Sequence, residues 1–164
     1  MKALAAALVA AFVAAPAFAA TDRENLVVLV SASVVPRAIV FTTIEECTTR
    51  YPDIESMSLD AVMEWESRNL TYEQKAKLLA GKYALRMEKA EGKEVVDKLV
   101  VDTLNSRREQ AVRETRAAFK RTFEKTPFGR HKESCLTFLM GMNGGKMDYR
   151  AIDKAAYELI QSDK

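Results

Sequence analysis

Residues 21–47 read TDRENLVVLVSASVVPRAIVFTTIEEC, and the fold of the whole chain turns on them. Thr21-Asp22-Arg23-Glu24 has the spacing of a capping box, with Thr21 capping a helix and Glu24 reaching back to it. Behind the box, residues 26–35 are unusually rich in Leu and Val. Such β-branched content admits a strand. The continuation through Ile39, Val40, Ile44 and Cys47 favours a helix instead. That helix should be kinked or broken at Pro36, because proline removes a donor and crowds the preceding turn. A segment this apolar is expected at the centre of the core.

Upstream, Met1-Lys2 is a short positive start and residues 3–15 are an uncharged apolar run. Pro16 breaks the run, and Ala17-Phe18-Ala19 is the small-x-small pattern read by signal peptidase. A spanning helix needs about 20 apolar residues, and this run is shorter. Residues 1–19 therefore read as a cleaved signal peptide. Residues 20–164 read as one all-helical domain in the periplasm or secreted. No cysteine follows the cut, so a lipid anchor there is not expected. Among later segments, residues 26–35 come closest to a membrane span, but they are short and contain Ser31 and Ser33. No stable membrane insertion is expected after cleavage.

The 145 residues that remain suit one domain with its own core. Their formal net charge is +1, which argues against general nucleic-acid binding. The charge is unevenly spread. Residues 45–73 carry eight acidic and two basic side chains, a net of −6; residues 107–133 carry nine basic and four acidic, a net of +5. Either two helix faces of opposite sign attract each other within the fold, or one recruits a charged partner.

Cys47 and Cys135 are the two cysteines. In an oxidising compartment they most simply pair with each other. No Cys-x-x-Cys is present, which speaks against a redox enzyme.

Downstream of Tyr51-Pro52-Asp53, helix signals follow one another. Ser58 can cap a helix ending near Asn69. Thr71-Tyr72-Glu73-Gln74 has the form of a second capping box, opening a helix with Tyr72, Ala76, Leu79, Tyr83 and Met87 on one stripe. Gly92 is its natural stop. Residues 93–126 form one long helix, or two with a bend at Asn105-Ser106. Pro127 and Gly129 end that region. A helix with Cys135, Leu136, Phe138, Leu139 and Met142 follows, stopped by Asn143-Gly144-Gly145. Asp148 caps the last helix, with Met147 placed to staple onto Ile152. The sum is an all-α, single-domain bundle of about six to seven helices with one disulfide, its neighbours mostly antiparallel.

The candidate chemistry is sparse. His131, the lone histidine, sits among like charges and reads as a surface residue. It has neither the partners of a triad nor those of a zinc site. Glu45-Glu46 and Glu64/Glu66 point to different helix faces and read as surface. The loop Gly141 to Lys146 lacks the Ser/Thr and the strand-to-helix setting of a phosphate loop. No catalytic residue, cofactor or metal is expected. The candidates for contacting a protein partner are the basic stripe Arg113, Arg116 and Lys120, the loop-tip residues Asn143 and Lys146, and Trp65. Trp65 would count as an interface anchor if exposed and as core edge if not.

Leu70-Thr71-Tyr72-Glu73-Gln74 resembles Leu-Thr-x-x-Gln, the signature of the Spy/CpxP family of periplasmic stress proteins. The resemblance covers five residues, and the second copy usual in that family is missing. It implies an exported all-α chaperone or regulator. In size, export and disulfide the layout is also similar to small periplasmic helical immunity proteins, which neutralise secreted cell-wall toxins. The functional expectation is a non-enzymatic exported protein that binds an envelope protein, as an immunity or inhibitor protein does. The alternatives are a Spy/CpxP-like chaperone and, last, an envelope enzyme.

Overall fold

A computed structural model describes residues 21–163, so the reading of residues 1–19 as an export signal lies outside the described residues. These residues form six α-helices and two short 3-10 turns, with no strand among them. Three long helices dominate: α1 (Asp22–Arg50), α2 (Glu55–Glu91) and α3 (Lys93–Lys125). Three shorter ones close the structure: α4 (His131–Asn143), α5 (Tyr149–Ile152) and α6 (Lys154–Ser162).

The Thr21 capping box is formed. The Glu24 amide donates to the Thr21 hydroxyl at 3.2 Å, and the Thr21 amide donates to the Glu24 carboxylate at 2.7 Å. Of the kink or break expected at Pro36, the break is absent: α1 is one continuous helix with Pro36 inside it. It is buried, and α1 is held by α2 and α3 along its length, so packing overrides the lost hydrogen bond. The polar residues of α1 turn inward on their own backbone: Ser31 and Thr43 donate to the Val27 and Ile39 carbonyls at 2.6 and 2.9 Å.

Because α1 continues through Pro36, it is long and apolar enough to cross a membrane by length and composition, which residues 26–35 alone are not. A helix apolar all round must be surrounded by something. Here α2, α3 and α6 all pack on it, and Leu26, Leu29, Val40 and Cys47 are almost fully buried.

Two more expected breaks are absent. Ser58 does not cap a helix; it lies buried inside α2 and donates to the Ile54 carbonyl at 2.9 Å. Thr71 to Gln74 is helix interior, not a capping box. Asn69 was the expected stop. Its side chain instead donates to the Trp65 carbonyl one turn back in α2 and to Asp148, and accepts from the Tyr149 amide, which ties the continuous helix to the chain's C-terminal part. Leu59 and Met63, near Trp65 in the sequence, are 56% and 68% exposed. Of the two readings of residues 93–126, the single long helix is the one found: α3 runs unbroken through Asn105-Ser106. Its exposed waist is built of Arg, Glu and Gln, which hold a helix by propensity alone.

Gly92 ends α2 with φ +92°, a conformation that favours glycine. The Cys47–Cys135 disulfide is formed, with 5.8 Å between the Cα atoms, and joins the end of α1 to α4. The C-terminal segment differs in detail from expectation. It is two helices, and Asp153 caps the second through the Ala156 amide at 3.0 Å. Asp148 precedes α5 without a side-chain cap, because its carboxylate is taken by Arg68 and Asn69. Met147 packs on the core that holds Trp65 and Tyr149.

Candidate functional site

The predicted partner-binding residues do not gather into one face. Trp65 is 1% exposed and belongs to the core, so it is not a surface anchor. Its indole N–H donates to the Met147 carbonyl at 2.7 Å. Around it Arg68 donates to the Met142 carbonyl, Asn69 donates to the Trp65 carbonyl and to Asp148, and the Tyr149 amide donates to the Asn69 side chain. This polar knot fastens residues 142–149 to α2. Asn143 and Lys146 stand exposed on the loop so fastened. Tyr149 is buried beside the knot, and burial together with the negative charge of Glu73 pushes its hydroxyl up to about 12.

The basic stripe is exposed on α3 but largely engaged within the chain. Arg116 reaches across to α1 and pairs with Glu45 at 3.2 Å and Glu46 at 3.5 Å. Arg113 and Lys120 lie 3.8 Å from Glu109 and Glu124 on their own helix. Exposed pairs of this kind contribute little to stability. In Arg116 the opposite charges of residues 45–73 and 107–133 meet inside the fold. Lys132 on α4 also pairs with Asp53, and Arg50 lies over the Phe119 and Phe123 rings.

His131 is half-buried, which corrects its reading as a surface residue. Its Nε2 lies 2.7 Å from the Thr126 carbonyl, and its ring packs against Phe123. It closes the corner between α3 and α4. Among the described residues no cluster of His, Cys, Asp or Glu could hold a metal ion.

A cleft between α1 and α3 is a feature that sequence reasoning missed. It has a volume of about 340 Å³ and is lined by Val35, Ile39, Ala111, Thr115 and Ala118, with Arg107, Gln110 and Glu114 at the rim. Ile39, Thr115 and Ala118 also line a second cleft, of about 260 Å³, that reaches Phe119, Phe123 and Phe138 beside the disulfide. The two form one apolar trough. Its floor exists because α3 presents small side chains at 111, 115 and 118, one helical face apart. That spacing was the available signal, hidden in a segment dominated by charge.

On the other flank of α1, Phe41 is 41% exposed and lies under Arg37, with Arg108 nearby. Arg37 donates to Glu66 at 2.9 Å and to Glu73 at 3.2 Å. Burial would lower its pKa, but the charges of Glu73 and Glu66 outweigh that and raise it. Burial likewise pushes Glu73 up, yet its hydrogen bond from Lys77 and the Arg37 charge hold it below the ordinary carboxylate value.

Fold and cleft define a disulfide-linked all-α bundle with an apolar trough along its first and third helices. No protein-family model, curated protein or solved structure matches the chain.

Proposed function

We propose that the protein is a non-enzymatic exported protein that works by binding another protein, at the trough between α1 and α3. The observation that carries this reading is the trough itself. It is apolar along its floor and edged by Arg107, Gln110 and Glu114, and the first cleft contains neither histidine nor cysteine. An amphipathic helix laid in such a groove buries apolar side chains below and meets charge at the rim. Catalysis would instead call for convergent polar groups with shifted pKa values in a pocket. Export through cleavage after Ala19 belongs to the same reading, and the Cys47–Cys135 bridge supports it, since such bonds persist in oxidising compartments.

Ala118 is exposed and lines both clefts, so Ala118→Trp fills the trough without touching the core. Affinity capture from an envelope extract should retain one dominant protein on the wild type and lose it on Ala118→Trp. The reading fails if no protein is retained above an unrelated exported control, or if the substitution leaves capture unchanged. Aggregation of unrelated denatured proteins should be unaffected by the wild type. Its suppression would favour the Spy/CpxP-like chaperone instead.

A further inference from the structure

The face of α2 that points away from the core carries Leu59, Met63, Leu70, Leu78 and Leu85, exposed between 53% and 68%. With Ser67, Gln74 and Gly81 they occupy positions 59, 63, 67, 70, 74, 78, 81 and 85, stepping 4, 4, 3, 4, 4, 3 and 4. This is an 11-residue repeat, close enough to the helical period to keep one nearly straight seam. The seam is about 39 Å long. It lies opposite the core stripe of Trp65, Ala76, Leu79 and Met87, and no residue of α2 lines the α1–α3 trough.

Gly81 is the telling position. It sits inside α2, and a Cβ there would meet nothing within 4 Å. Nothing in the chain itself requires a glycine, which costs about 1 kcal/mol against alanine in a helix interior. A second helix approaching closely would require one.

The charges beside the seam say which helix. Residues 59–72 carry Asp60, Glu64, Glu66 and Arg68, a net of −2; residues 73–89 carry Lys75, Lys77, Lys82, Arg86 and Lys89 against Glu73 and Glu88, a net of +3. Asp60, Lys75 and Lys89 have no ion-pair partner among the described residues. Glu64, Glu66, Lys77, Lys82 and Arg86 pair within the chain, yet their own side chains remain 40% to 63% exposed. An antiparallel copy of the same helix brings acidic half to basic half at both ends. Centred at residue 72, it also sets Leu59 against Leu85, Met63 against Gly81 and Leu70 against Gln74. The longest apolar side chain of the seam then faces the glycine.

We propose that two copies of this chain associate through an antiparallel α2–α2 seam, a two-fold interface that leaves the α1–α3 trough open on each copy. The test uses the purified full chain with its native disulfide intact. Light scattering should report a dimer that weakens with salt. Leu78→Glu should raise the dimer dissociation constant at least about 30-fold, as loss of one interface anchor does. Far-UV circular dichroism should stay unchanged, since Leu78 is 67% exposed. Differently tagged Leu59→Cys and Leu85→Cys variants, mixed with a short bismaleimide, should crosslink to each other and not to themselves. A monomer up to the solubility limit, a dimer indifferent to Leu78→Glu, or self-crosslinking at Leu59→Cys overturns the proposal. None of these results bears on capture at Ala118, so the two readings fail separately.

Discussion

The two ends of the bundle are held together in different ways. At the end where α1 meets α4, a core of Val40, Ile54, Trp65, Leu139 and Tyr149 is crossed by the Cys47–Cys135 disulfide and the Trp65–Asp148 polar knot. At the other end Leu26, Val30, Met87 and Val96 pack as plain hydrophobes around the α2–α3 hairpin. The polar ties there include the Thr21 capping box and two exposed pairs, Arg23 with Glu91 and Arg86 with Asp22. The difference follows from chain geometry. The far end turns back through one residue, Gly92, so its helices are neighbours by connectivity. The disulfide end gathers several short elements separated by loops. Each must be pinned by specific bonds, because a short helix is not stable alone.

The strongest test of this contrast is Cys47→Ala with Cys135→Ala. The bridge closes a separation of 88 residues, for which chain entropy gives about 4–5 kcal/mol. Urea unfolding should show a loss of that order. Hydrogen exchange should show α4 losing protection first while the Leu26–Met87 cluster keeps it; equal loss at both ends would break the comparison.

Met87→Ala probes the opposite end, where Met87 is 3% exposed. A loss of roughly 2–5 kcal/mol is expected from the buried volume removed. It should be read in the same urea assay, with the disulfide end the last to exchange.

Alkaline titration sharpens the contrast without a change of packing. Tyr149 has its pKa raised from 10.0 to about 12 in the folded chain, chiefly by burial and then by Glu73. A raised pKa means stability present below pH 10 and lost as pH rises towards 12. Thermal melts across that window should fall for the wild type and fall less for Tyr149→Phe; identical slopes would remove Tyr149 as the cause.

Smaller effects belong to the hairpin end. Gly92→Ala forces a Cβ into a left-handed conformation and should cost about 1–2 kcal/mol. Thr21→Ala removes the cap of α1 and should cost about 1 kcal/mol, visible as faster exchange in the first turn. A larger loss from Thr21→Ala than from Gly92→Ala would reverse their order and show the cap, not the turn, to hold this end.

Local signals were legible where the chain truly ends an element. Thr21 caps α1 with its side chain, and Gly92 and Pro127 stand where α2 and α3 end, for backbone reasons readable in the sequence. The same local grammar misled at Ser58 and Thr71. A capping motif states that a helix could begin there, not that the preceding one must stop. At Pro36 the break that local chemistry allowed does not occur, since the buried surroundings of α1 tolerate the proline.

The candidate site was less legible than the fold. Arg116 was readable as a stripe residue, but its engagement with Glu45 and Glu46 depends on which helix lies opposite. Trp65 could be placed near the core edge and not at its centre. The small side chains Ala111, Thr115 and Ala118 acquire meaning only when α1 lies across them and leaves a trough.

What the residues determined unaided is the helical character of the chain, the pairing of its two cysteines and the points where the backbone must turn. These depend on period, on backbone chemistry and on there being one available partner. The continuity of α1, α2 and α3, the burial of Trp65 and the exposure of Leu59 and Met63 were decided by the tertiary structure. Each is an outcome of competition for the same interior. Whether a polar or apolar side chain is buried depends on which neighbour arrives, and that neighbour comes from tens of residues away.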